Sequence, residues 1–77
     1  MRIPSVTYIL TLVCVHCATA NERYDALVRA RRWAHTAADR APKGAGRDAW
    51  HDLSRQLRGA QLATGYFDRD VPLTIPA

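Results

Sequence analysis

Hydrophobic positions recur most regularly in the second half of the chain. Trp50, Leu53, Leu57, Ala60, Thr64 and Phe67 follow one another at steps of three and four. That spacing keeps them on one face of an α-helix, and it predicts a helix running to about Thr64 or Phe67. Asp48 is the expected N-cap, with Asp52 adding favourable charge in the first turn. A second stripe lies upstream: Ala20, Tyr24, Leu27, Ala34, Ala38 and Ala41, widened on one side by Ala30 and Ala37. Thr19-Ala20-Asn21-Glu22 reads as a capping box at its start, with Asn21 as the alternative cap. Pro42 and Gly44 stop this helix near Ala41. Its opposite face carries Asp25, Arg29, Arg32, Thr36 and Asp39, and the Asp25/Arg29 spacing supports an exposed ion pair.

Between the two patterns, residues 42–47 hold Pro42, Gly44 and Gly46 and read as a loop. Helix, short loop and helix predict an antiparallel two-helix hairpin over 21–67. Its bulky second stripe packs on the small, alanine-rich first one. Residues 68–77 contain Pro72 and Pro76 among Val71, Leu73 and Ile75, and read as an extended tail. The fold class is therefore mainly α.

Residues 1–20 follow neither pattern. Arg2 precedes an apolar run from Val6 to Val15, and Ala18-Thr19-Ala20 places small residues where a signal peptidase reads them. The first reading is a secretory signal peptide. The second is a retained membrane anchor, for which the run is short of the roughly 20 apolar residues a span requires. The third is a β-strand buried on both faces, since Val6, Thr7, Tyr8, Ile9, Thr11, Val13 and Val15 are β-branched or aromatic. Residues 71–75 are its one partner within the chain, and Pro72 limits the ladder. In keeping with the strand, Tyr8-Ile9-Leu10-Thr11-Leu12-Val13-Cys14 resembles the first strand of the amino-acid-binding regulatory domain of formyltetrahydrofolate deformylases. The Asp-Arg-Pro-Gly loop that follows in that family is replaced here by Val15-His16-Cys17-Ala18, so the resemblance covers seven residues and implies no ligand site. Localisation follows the fork: secreted or periplasmic after cleavage, membrane-anchored or cytoplasmic otherwise.

Composition narrows the picture further. The 77 residues carry 11 Lys and Arg against 7 Asp and Glu, a net charge of +4. Acidic residues interleave with the arginines, which suits a solvated surface better than a dedicated nucleic-acid arm. Both cysteines lie within residues 1–20. Removal of that segment would exclude a disulfide framework and leave a small chain that needs tight packing, an oligomer or a partner.

Four groups of residues carry candidate chemistry. Cys14 and Cys17 have the spacing of half a zinc site, which His35 and His51 would have to complete. A redox role for the pair is weaker still, because no βαβ pattern surrounds it. His35 and His51 flank the loop and would lie within about one helical turn of each other in height. With Asp39 and Asp52 nearby they could form an acid–base pair, but no nucleophile motif accompanies them, and solvated surface histidines are the simpler reading. Arg29, Arg31 and Arg32 beside Trp33 could grip phosphates and stack a base. Trp33, Arg29, Arg32, Tyr66 and Phe67 together have the composition of a protein-binding surface, with Trp50 as core.

The sequence thus points to a non-enzymatic protein-interaction module, an accessory subunit or small inhibitor, that binds a protein partner or itself and needs no cofactor. A small basic nucleic-acid-binding protein is the alternative, and a metal- or redox-active protein the third class. Membrane contact is expected only if residues 1–20 stay as an anchor. Three observations separate these classes. They are an exposed Trp33 in an apolar patch, a continuous face of Arg29, Arg32, Arg40, Lys43 and Arg47, and convergence of the cysteines with the histidines.

Overall fold

A computed structural model of the chain describes residues 3–66, 68 and 69. These form three helices: α1 (Val6–His16), α2 (Ala20–Arg40) and α3 (Ala45–Thr64), with no strand among the described residues. Phe67 and residues 70–77 lie outside the described part, and with them nearly all of the expected extended tail.

The alternative reading of Val6 to Val15 as a strand is corrected: these residues lie in α1. A helix satisfies its backbone groups internally, whereas a strand buried on both faces would need ladder partners at its edges. Its proposed partner, 71–75, lies outside the described residues. Ser5 supplies a helix start, its Oγ accepting from the Tyr8 amide at 3.1 Å. The helix stops at Cys17, whose amide donates to the Val13 carbonyl at 2.9 Å. Ile9 and Val13 turn inward, while Tyr8, Leu12 and Val15 stay exposed. No helix among the described residues is long and apolar enough to cross a membrane.

Thr19 caps α2, its Oγ1 accepting from the Glu22 amide at 3.1 Å. The Glu22 carboxylate reaches back to the Ala18 amide at 3.0 Å, one residue before the cap. At the other end Ala41 is extended (φ −75°, ψ 145°). That is the conformation imposed on a residue preceding proline.

The start of α3 differs from the expected Asp48 cap. The helix begins four residues earlier, with Gly44 (φ 142°) as the cap residue and no side-chain cap bond. Glycine adopts that backbone without steric cost. Asp48 remains in the first turn, where its charge favours the helix N-terminus. Gly46 and Arg47 therefore belong to the helix, and the loop contracts. Gly65, at φ 70°, closes α3 by donating to the Gln61 carbonyl at 3.2 Å.

Most interhelical contact is between α2 and α3, and α1 lies against both. Tyr24 meets Gln61, Trp33 meets Trp50, and His35 meets His51. The core joins Leu27, Ala34 and Ala38 of α2 to Trp50, Leu53 and Leu57 of α3, with Ile9 and Val13 from α1. Leu27 and Leu57 are fully buried. Bulky side chains of α3 thus sit on the alanines of α2. The stripes are less clean at their ends: Tyr24, Ala41, Ala60 and Thr64 are only half-buried, while Asn21, Ser54 and Gln61 are buried. The Gln61 amide donates to the Tyr24 hydroxyl at 3.1 Å, which satisfies its donor side.

Candidate functional site

Trp33 stands where α2 approaches the start of α3. Its ring meets that of Trp50 edge to face, with centroids 5.1 Å apart and planes at 88°. Trp50 is buried at 7% exposure, and Trp33 keeps 45%. The pair opens on a cleft of about 350 Å³ lined by Trp33, Thr36, Ala37, Arg40, Ala41 and Trp50. Arg29, Trp33, Thr36 and Arg40 follow one face of α2 at steps of four, three and four. The cleft therefore sits on an exposed arginine-bearing face. Arg32, next to Trp33, is also exposed.

Tyr66 is exposed at the other end, its ring edge-on to Tyr24 at 5.4 Å. Tyr24 and Trp33 are nine residues apart on α2, which is about 14 Å along the axis. The structure therefore separates Trp33 from Tyr66, which the sequence reading placed in one surface. Phe67, the fifth member of that set, lies outside the described residues.

Arg47 does not stand free on the cationic face that would mark a nucleic-acid binder. Its Nε donates to the Ala41 carbonyl at 3.0 Å, and its Nη2 to the same oxygen at 2.7 Å and to the Asp39 carbonyl at 3.5 Å. The guanidinium is thus engaged at the C-terminal end of α2. The expected pair of Asp25 and Arg29 does not form either. Ion pairs among the described residues join His35 to Asp39 at 3.7 Å and Asp52 to Arg55.

Cys14 and Cys17 do not converge with His35 and His51. Among the described residues no group of three His, Cys, Asp or Glu side chains could hold a metal ion. Both thiols are free, Cys14 exposed and Cys17 half-buried. Burial pushes the Cys17 thiol above its ordinary range, and the Glu22 carboxylate adds to that; Arg29 opposes it.

The two histidines do meet, with ring centroids 5.7 Å apart. They belong to a groove of about 430 Å³ with Arg31, Ser54, Arg55 and Arg58. Arg55 and Arg58 escaped the sequence reading. The signal was there in His51, Arg55 and Arg58 at steps of four and three, facing Arg31 and His35 at a step of four. Reading each helix by itself hides such a cluster.

No protein-family profile matches this chain, and no curated protein or solved structure was found similar to it.

Proposed function

We propose that this chain is a non-enzymatic protein-interaction module, an accessory subunit or small inhibitor. It would act through one face of an antiparallel two-helix hairpin. The observation that carries this reading is the half-exposed Trp33, seated on buried Trp50 in a cleft floored by Ala37 and Ala41 and rimmed by Arg40. A large aromatic held in place by a buried neighbour is pre-ordered, so little entropy is lost when a partner covers it. Tryptophan and arginine together are the usual anchors of protein interfaces. The fitting partner is a protein segment offering one apolar side chain to the cleft and carboxylates to Arg40 and Arg32. Tyr66, about 14 Å or more from the cleft along the helix axis, is a satellite contact.

The nucleic-acid reading has less support, because Arg47 donates to the α2 carbonyls rather than standing with the other cations. A metal site has less again, since among the described residues no group of three His, Cys, Asp or Glu could hold an ion. The compartment depends on residues 1–20: export if they act as a leader, retention if α1 stays in the fold.

The test replaces Trp33 with a photo-crosslinking residue in the native host, uses position 29 as the comparison, and identifies the protein captured. With that partner purified, Trp33→Ala should weaken binding by about 2 kcal/mol, roughly thirtyfold. Helix content should stay near wild type, and Arg29→Ala should change affinity little. Loss of helix content in Trp33→Ala would show that Trp33 is core and defeat the proposal.

A further inference from the structure

The geometry points to an anion site in the groove between α2 and α3, formed by Arg31, His35, His51, Ser54, Arg55 and Arg58, that takes the phosphate group of a small phosphorylated ligand. Three guanidinium groups, two imidazoles and a hydroxyl line one groove. It shares no lining residue with the Trp33 cleft, so it stands independently of the interaction surface.

Charge and satisfaction both support the assignment. Two carboxylates bear on the cluster, Asp39 against His35 from α2 and Asp52 against Arg55 from α3. The guanidiniums of Arg31 and Arg58 are in no ion pair among the described residues. Arg31 also keeps its Nε buried without a hydrogen-bond partner. A buried donor of that kind asks for an acceptor. Tetrahedral oxyanions suit a ring of guanidinium forks, because each fork can donate two parallel bonds. Ser54 is buried among these cations and supplies a hydroxyl that can donate to a phosphate oxygen. The groove's volume of about 430 Å³ can admit a pyrophosphate or a sugar phosphate.

Sulfate is the simplest probe of the site, a divalent tetrahedral oxyanion of the class that guanidinium forks suit.

The experiment titrates the full chain with sulfate at low ionic strength, followed by amide and imidazole NMR shifts. Expected are saturable shifts centred on residues 31, 35, 51, 54, 55 and 58. Arg58→Gln should weaken binding about tenfold or more, the scale of a lost charged hydrogen bond. Arg31→Gln should do the same, and if its partial burial makes that variant unfold, Arg58→Gln still decides. Arg32→Gln, exposed outside the groove, should stay within about twofold, since an exposed charge outside a site counts for little. Pyrophosphate and a sugar phosphate then separate the sources: tighter binding of the sugar phosphate assigns an organic ligand, and the reverse assigns the free anion. Unsaturable shifts spread over all arginines, or equal losses in Arg32→Gln and Arg58→Gln, would overturn the site. Tighter binding of a single-stranded oligonucleotide than of pyrophosphate would overturn it in favour of a nucleic-acid face.

Discussion

At the scale of single residues, the local sequence leaves a side chain's destination open. Arg47 counts as surface charge in any composition, yet it donates to the last carbonyls of the preceding helix. It reaches them because α3 begins at Ala45 rather than after Asp48, which brings position 47 back over the end of α2. Cys17 shows a subtler dependence. Half-burial and the neighbouring Glu22 carboxylate hold its thiol protonated beyond the ordinary thiol range. The folded chain therefore keeps this proton longer than the unfolded chain does. The linked stability is complete below the ordinary thiol range and is lost as pH rises through the elevated folded value. Reactivity follows the thiolate. With limiting iodoacetamide at pH 8, exposed Cys14 should be alkylated well before Cys17. Glu22→Gln removes the charge while keeping a capping side chain, so it should speed Cys17 without unwinding α2. Burial is the larger cause, so the gain should be partial. Peptide mass mapping checks both; equal rates at the two thiols would sink the argument.

At the scale of elements, the seam between α2 and α3 is set by volume. The alanines of one helix leave room for Trp50, Leu53 and Leu57 of the other, and Leu57 ends with no exposure. Truncating it leaves a cavity that a small domain cannot easily collapse. Leu57→Ala should cost about 2–5 kcal/mol, enough to unfold much of so small a chain. Leu62 is 65% exposed, so Leu62→Ala should cost under about 1 kcal/mol. Circular-dichroism melts compare the two, and equal losses would mean the seam is misphased. This seam was legible in the sequence because period-3.6 apolar spacing constrains a helix strongly. So was the Thr19/Glu22 capping box, a local arrangement of side chain and amide. Less legible was α1, because a run apolar on every side fits helix, strand and leader alike. The groove of Arg31, His35, His51, Arg55 and Arg58 was hidden for another reason: it exists only once two helices are set side by side. The start of α3 was missed because Gly44 can cap by backbone shape alone, which outranks the nearby Asp48.

For the whole molecule, the decisive question is what residues 1–20 do once the chain is made. They have the layout of an export leader, and they also place Ile9 and Val13 in the shared core and Thr19 on the end of α2. Both roles cannot be exercised by the same molecule. Cleavage after Ala20 would uncover the part of the core that Ile9 and Val13 join and remove the cap. Burying one aliphatic side chain of this kind is worth about 1.5–3 kcal/mol, and a Thr cap about 1 kcal/mol. Losing all three removes roughly 4 kcal/mol or more, a large fraction of what holds a small domain together. A chain of residues 21–77 should therefore melt more than about 15 °C below the full chain, since each kcal/mol shifts a domain of this size by roughly 4–8 °C. It should also bind a hydrophobic dye that the full chain does not, because the surface left by α1 faces water. Melting within a few degrees of the full chain would show that α1 contributes no core, and would leave the leader as the segment's one role. Intact mass of protein from the native host then tells which form works there: a start at Met1 keeps the three-helix fold in service, whereas a start at Asn21 requires a partner to cover what α1 had covered.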